Sequence, residues 1–268
     1  MIIKKNDYKY LVNLLLEISK LACDQILQIY GTKFSHTKKS DNSPLTLADL
    51  NSHKIITENL SKKFPDIPIV SEENNHQNKV KTNEYFLVDP LDGTKEFLKK
   101  NDEFTVNIAL IQNKKPIVGV VSLPTDNIHF FTDGSKSFVT TDNEEPRIIN
   151  SSKPSKRLRV LVSRSHLDKE TKKILKKINN PIVLKKGSSI KLCLIASGES
   201  DLYVRFGNTM EWDLAAGHAI LKNASANLYD FSFKELEYSK KEFLNYSFFT
   251  CSNSIKKEII NLFKKEII

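Results

Sequence analysis

Residues 85–97 read Tyr85-Phe86-Leu87-Val88-Asp89-Pro90-Leu91-Asp92-Gly93-Thr94-Lys95-Glu96-Phe97. The first four form an apolar run ahead of polar residues, the pattern of a buried strand. Proline at 90 disfavours helical geometry at the residue before it, which keeps Asp89 extended at the strand mouth. Gly93 removes the steric bar to a sharp bend, and Thr94 opens a short helix that reaches Lys99. A strand that ends in two aspartates and turns straight into a helix is a joint of layered α and β structure. The helix start also leaves N–H groups free to face an anion.

The flanking sequence extends this pattern in both directions. Between Tyr8 and Tyr30, apolar residues from Leu11 to Ile29 recur at three- and four-residue spacings and stop at Gly31, which predicts a long amphipathic helix. Thr46 and Asp49, three apart, form the capping box of a second helix that runs to about Phe64. Ile67 to Val70 is another short strand. From Phe104 the pattern becomes β, with Phe104 to Ile111, Ile117 to Leu123 and Ile128 to Thr132 as an antiparallel meander. The polar stretch Asp142 to Lys156 is the expected junction between an N-terminal α+β domain over 1–150 and a C-terminal α/β domain over 151–268. The second half alternates strands at 158–162, 182–184 and 202–206 with helices at 168–178, 189–197, 212–223 and 254–267. The expected class is α/β (α+β) with mixed sheets.

Composition removes several function classes. With 268 residues, 40% hydrophobic and 27% charged, the chain can bury a substantial core and does not resemble a disordered one. No apolar run approaches the ~20 residues needed to cross a bilayer. Nothing at the N-terminus resembles a secretion signal, so the expected compartment is the cytoplasm. Cys23, Cys193 and Cys251 are far apart with no C-x-x-C spacing and read as reduced, buried thiols. The net charge of +9 attracts anions, but the lysines are scattered in pairs along the whole length. Charge by itself fits nucleic acid, an acidic membrane face or a phosphorylated small molecule. No G-x-G occurs and no glycine is followed by Lys-Ser or Lys-Thr, so P-loop and dinucleotide motifs are absent.

The chemistry is carried by carboxylates. Read alone, Asp92-Gly93 is more often a turn than a metal site. A second strand, however, ends in Ser71-Glu72-Glu73, and two strand mouths bearing carboxylates beside a phosphate cradle need a cation, because the negative charges would otherwise repel. Glu73 points away from Glu72 in an extended segment and is read as a supporting residue. Asp213, taken by itself, is an ordinary acid in the first turn of an apolar helix. Gly187-Ser188-Ser189-Ile190-Lys191 offers a glycine turn, hydroxyls and a cation at another helix start, again suited to an anion.

The ordered set of segments 41–49, 71–73, 89–94 and 212–217 resembles the inositol monophosphatase superfamily of metal-dependent, lithium-sensitive phosphatases. Lys95-Glu96-Phe97 after Thr94 is similar to its 3′(2′),5′-bisphosphate nucleotidase branch, and the resemblance extends from the first helix to Phe249. It implies a layered α-β-α-β-α sandwich, with metals held by the N-terminal domain and substrate by the C-terminal one. It implies that Glu72, Asp89, the Leu91 carbonyl, Asp92 and Asp213 hold two or three Mg²⁺ ions, all through hard oxygen donors. Asp49 and Thr94 match the pair that activates the attacking water.

In the same resemblance Ser188, Lys191 and Arg205 match nucleotide contacts and His166 matches a residue near the adenosine. Glu72, Leu91, Asp92, Gly93, Thr94 and Asp213 also face the substrate. Read alone, Arg205 suits a surface ion pair and His166 a solvated loop. The implied reaction is hydrolysis of the 3′-phosphate of adenosine 3′,5′-bisphosphate to AMP and phosphate, with the 3′-phosphate of the sulfated nucleotide as a second substrate.

Inositol monophosphatase or fructose-1,6-bisphosphatase activity uses the same carboxylates and stays open. A paired-carboxylate glycosidase does not explain the Gly93-Thr94 turn, and a basic nucleic-acid binder lacks any recognisable motif. The expected partner is a phosphorylated nucleotide, with no nucleic acid and no transmembrane segment, for a monomer or homodimer. The amphipathic segment from Ile255 to Ile268, apolar on one face and lysine-rich on the other, leaves open peripheral contact with the cytoplasmic face of the inner membrane.

Overall fold

The structure is a computed structural model that describes residues 2–32, 35–38, 44–74, 82–142, 144–151, 156–164 and 167–266. Its helices are α1 (Tyr8–Tyr30), α2 (Leu47–Lys63), α3 (Thr94–Leu98), α4 (Lys169–Lys177), α5 (Ile190–Ala196), α6 (Glu211–Lys222) and α7 (Lys256–Glu266). Seven strands form one sheet in sequence order: Ile69–Ser71, Glu84–Asp92, Thr105–Gln112, Lys115–Leu123, Ile128–Thr132, Ser137–Thr141 and Arg147–Ile149. Its first pair is parallel and the rest is antiparallel. A five-stranded mixed sheet runs in the order Ile182–Lys186, Arg159–Ser163, Leu202–Arg205, Phe248–Ser252, Ala226–Asp230.

Strand parity explains the layering, because successive side chains point to opposite faces. Phe86 and Val88 join the cluster built with Leu11, Leu15 and Ile18 of α1 and Ile56 and Leu60 of α2. Their neighbours Tyr85 and Leu87 join a second cluster with Leu192 and Ile195 of α5 and Ala216 and Ile220 of α6. That cluster also takes Leu161, Tyr203 and Phe248 from the five-stranded sheet. The alternate residues Val160, Leu202, Val204, Phe249 and Cys251 pack with Ile174 of α4 and with Ile259 and Phe263 of α7. The stack is therefore α1/α2, sheet, α5/α6, sheet, α4/α7, the five-layer sandwich expected above.

Local signals set most of the element ends. Thr46 accepts from Ala48 and Asp49 while Asp49 reaches back to the Thr46 N–H, so the capping box is present. The meander runs two strands further than its apolar runs suggested, since Ser137–Thr141 and Arg147–Ile149 extend it into the polar stretch assigned to the junction. Both strands are short; Ser137–Thr141 is paired on both sides, and Arg147–Ile149 is the edge strand, where exposed polar residues are tolerated. The apolar face of α7 is covered: Ile255, Ile259 and Phe263 are buried on the second sheet, which removes the surface that a membrane would need. Phe248 and Phe249 are likewise core residues and cannot stack on bases. All three cysteines are buried free thiols, and no helix among the described residues is long and apolar enough to cross a membrane.

Gly119 and His218 govern how α6 seats between the sheets. A Cβ at Gly119 would lie 2.5 Å from the Ala216 carbonyl oxygen and 2.9 Å from its Cα, so only glycine lets this helix reach the strand. Gly119→Ala should lower stability by about 1–3 kcal/mol, measured by denaturant unfolding; a neutral result would mean that α6 shifts freely. His218 is fully buried between Tyr238 Oη at 3.0 Å and Asn227 Oδ1 at 2.7 Å. Burial lowers its pKa from 6.5 to about 4, against the opposing pull of Asn227 and Glu235. The unfolded chain therefore binds a proton that the folded chain refuses between those values, and stability falls as pH drops through that window. The wild type should lose more stability than His218→Gln between pH 6.5 and 4; parallel curves would contradict this.

Candidate active site

The first strand pair sets up the site. Ile69–Ser71 and Glu84–Asp92 run parallel with Ser71 opposite Val88, and the Glu72 N–H donates to the Val88 carbonyl at 3.1 Å. Both strands therefore end at one edge of the sheet, and Glu72 is carried beside Asp89. Asp89 and Asp92 are three residues apart, which in a regular strand puts them on opposite faces. Here Asp89 pairs with Asn107 and Asp92 with Thr105, so three steps on one strand face two on the other. That bulge resets the parity and brings both carboxylates to the same side.

Neighbouring elements hold this segment in place. Ser52 of α2 donates to the Pro90 carbonyl at 2.7 Å, and the Leu91 N–H donates to Asp89 Oδ1 at 3.1 Å. Gly93, at φ +94, makes the bend into α3, and a Cβ there would lie 3.0 Å from the Glu103 carbonyl. Ser189 at the start of α5 bonds both Thr105 and Asn107, which docks that helix on the carboxylate face. Asp213, in the first turn of α6, accepts from the Met210 N–H at 2.8 Å through one oxygen.

A cleft of about 410 Å³ opens where these pieces meet. Glu72, Asp89, Leu91, Asp92, Gly93, Thr94 and Asp213 line one part of it, and Ser188, Lys191 and Arg205 line another. The structure thus brings together ten of the residues singled out in the sequence. Asp49 lies behind Thr94 and accepts its hydroxyl at 3.1 Å, while Thr46 holds the other carboxylate oxygen through its N–H at 2.7 Å and its hydroxyl at 2.5 Å. His166 lies outside the described residues.

Lys191 does not extend as a free cation. Its Nζ is buried, donates to the carbonyls of Gly187, at 2.6 Å, and of Ser188, and sits over the Tyr203 ring. Burial lowers its pKa to about 8 despite Asp92 nearby. Sequence reading missed Thr209 and Glu96, which also line the cleft. The buried atoms Ser188 Oγ, Arg205 Nε and Thr209 Oγ1 have no hydrogen-bond partner among the described residues. Such groups are costly to leave unpaired, and a polar ligand would satisfy them.

The electrostatics fit a cation. Burial raises the Asp92 pKa to about 6, with Lys191 opposing and Glu72 and Glu96 adding to the rise. Asp213 is raised well above its usual value by burial and by the charges of Asp92 and Glu72. Burial is the largest cause of both shifts and the neighbouring carboxylates add to them, and a divalent ion would favour the charged forms and reverse the effect. Among the described residues, no three Asp, Glu, His or Cys side chains converge tightly enough to grip an ion as they stand. All the donors are the hard oxygens that Mg²⁺ prefers.

The whole arrangement defines a phosphatase class. Residues 7–267 match the inositol monophosphatase family, and the chain belongs to that family of metal-dependent phosphatases. Within it, the chain is similar to the 3′(2′),5′-bisphosphate nucleotidase CysQ of Escherichia coli O6:H1, with 43% identity over 238 residues that cover 87% of this chain and 96% of the relative. The CysQ of Buchnera aphidicola is 38% identical over 251 residues, 91% and 94% of the two chains. Among solved structures, CysQ from Bacteroides thetaiotaomicron matches with a TM-score of 0.79 and 35% identity over 90% of this chain and 97% of that one. A Thermotoga maritima inositol monophosphatase, 22% identical over 95% and 97% of the chains, shares the fold with a TM-score of 0.80.

If Asp213 is a metal donor, Asp213→Asn should weaken Mg²⁺ binding by on the order of tenfold or more, read by calorimetric titration. Unchanged affinity in a folded variant would remove it from the ligand set.

Proposed function

We propose that this chain is a Mg²⁺-dependent 3′(2′),5′-bisphosphate nucleotidase of the cytoplasm that hydrolyses the 3′-phosphate of adenosine 3′,5′-bisphosphate to AMP and phosphate. The observation that carries this reading is one cleft lined both by carboxylates whose charges act on one another and by buried donors that have no partner among the described residues. A bisphosphate needs both, one for the phosphate that is cleaved and one for the phosphate that stays. The relatives named CysQ support the same substrate class. The sulfated nucleotide, with the same 3′-phosphate, is a second expected substrate. We assign residues 1–150 to a domain that supplies four of the five metal donors and 151–268 to a domain that supplies Asp213 and the contacts to the rest of the substrate.

In this reading Glu72, Asp89, the Leu91 carbonyl, Asp92 and Asp213 hold two or three Mg²⁺ ions. When bound, the metal supplies charge neutralisation at the phosphoryl oxygens and lowers the pKa of water. Asp49 keeps the Thr94 hydroxyl pointed toward its own Oδ1, which leaves the threonine oxygen free to accept a hydrogen bond from an attacking water; as the water's proton moves to Thr94, the threonine's own proton passes to the Asp49 carboxylate. With its other oxygen saturated by Thr46, Asp49 is fixed in that geometry. Arg205 and Ser188 bind the second phosphate, and the buried Lys191 contributes its charge and fixes the Gly187-Ser188 turn through the two carbonyls it holds.

The test is phosphate release from adenosine 3′,5′-bisphosphate with and without Mg²⁺, for wild type, Asp89→Asn and Asp49→Asn. Activity should require the metal, and each variant should lose on the order of 10²–10⁴ in kcat. Turnover of inositol 1-phosphate or fructose 1,6-bisphosphate in preference to the nucleotide would overturn the specificity assignment. Metal-independent turnover would overturn the mechanism.

A further inference from the structure

The substrate wall of the cleft hangs on one turn. Gly187-Ser188 connects the strand Ile182–Lys186 to α5, and Ser188 adopts φ +33, an unfavourable region for a serine. The turn presses against the N-terminal half. A Cβ on Gly187 would lie 2.8 Å from Glu96 Cγ and 3.0 Å from the Glu103 carbonyl, and a Cβ on Gly93 would lie 3.3 Å from Ser188 Cβ. A strained backbone held at such close range needs something to determine it.

Glu103 supplies that hold. Its Oε2 accepts the Gly187 N–H at 2.7 Å, and its two oxygens take a bidentate pair from Arg164, each bond 2.7 Å. Lys186 Nζ approaches to 3.3 Å. Arg164 in turn donates to the Lys185 carbonyl at 3.2 Å and, through its backbone N–H, to the Lys186 carbonyl at 3.1 Å. One carboxylate from the N-terminal half therefore ties together two strand ends and the turn of the C-terminal half. Its side chain is only 10% exposed, while that of Arg164 is 43% exposed, so the carboxylate is fixed at the seam and its partner reaches it from the surface. Glu103 does not itself line the cleft.

We propose that Glu103 is a positioning residue for substrate binding. Paired with Arg164, it locks the Gly187-Ser188 turn onto Gly93-Thr94, and so sets the distance between the carboxylate edge and the wall that receives the phosphate which stays. The proposal rests on reading the cleft as a phosphate-ester site. Glu103→Gln places an amide NH₂ among groups that are themselves donors, so one of Arg164, Lys186 or the Gly187 N–H loses its acceptor. The turn then relaxes while the carboxylates on the sheet stay where they are.

The test uses the full chain with Mg²⁺ as wild type, Glu103→Gln, Arg164→Gln and the double variant. Steady-state kinetics are measured on adenosine 3′,5′-bisphosphate and on p-nitrophenyl phosphate, which carries only a scissile phosphate. KM for the bisphosphate should rise about tenfold in Glu103→Gln with kcat within about twofold, the double variant should be no worse, and the monoester should be unaffected. Amide hydrogen exchange at Gly187 to Ser189 should accelerate while the seven-stranded sheet keeps its protection.

Unchanged exchange at the turn in both single variants would overturn the proposal. So would a loss of kcat at constant KM, or an equal loss on both esters. Should Glu103→Gln fail to fold, Arg164→Gln, whose side chain is 43% exposed, carries the same expectations. If the wild type ignores the bisphosphate, the nucleotidase reading fails by that result alone. The exchange measurement then still decides the role of Glu103.

Discussion

One extra residue in a strand decides where the charge of this molecule accumulates. Between Asp89 and Asp92 the backbone takes three steps while the facing strand takes two, and the change of parity turns both carboxylates toward the same side. Parallel pairing adds Glu72 beside them, and the first turn of α6 adds Asp213 from a segment more than a hundred residues further on. Each placement is cheap for the backbone and costly in electrostatics. The raised pKa values of Asp92 and Asp213 express that cost, and a divalent cation is the simplest group that offsets it. The rest of the cleft makes sense as the surroundings of such an ion: an anchored Asp49-Thr94 pair, and buried donors without a partner among the described residues.

The five-layer architecture makes that concentration of charge tolerable. Helices α5 and α6 lie between the two sheets, and both begin at the cleft, so the residues that open them, Ser189 and Asp213, are delivered to one place by helices whose remaining length is core. Gly119 allows α6 to sit against the strand closely enough for this. The two halves of the chain share a hydrophobic cluster as well as the cleft, and Glu103 joins them again by charge at the cleft margin. The site is thus a seam between the two halves of the chain, closed by the shared hydrophobic cluster and by the ion pairs of Glu103.

Much of this was legible before any coordinates. The long helix ending at Tyr30, the Thr46-Asp49 capping box and the strand-turn-helix at 85–98 follow from periodicity, cap chemistry and the demands of Pro90 and Gly93, all of which act within a few residues. Strands 137–141 and 147–149 were harder, because both are short and lie in or beside a polar stretch that resembles a loop in a hydropathy reading, and the second is an edge strand. The apolar stripe of α7 was plain, but whether it faced lipid or a sheet depended on Phe249 and Val160 being there to meet it.

By itself the sequence marked carboxylates at two strand mouths and glycine turns at helix starts, because local geometry and side-chain type are written residue by residue, and its resemblance to a family of phosphatases added Asp213 to the expected set. Only the tertiary structure decided their company. It gave Lys191 to the carbonyls of Gly187 and Ser188, enlisted Thr209 and Glu96 in the cleft wall, and closed the Glu103–Arg164 pair across 61 positions of chain. Partnerships of that kind arise from the packing of whole layers, and no spacing along the chain encodes them.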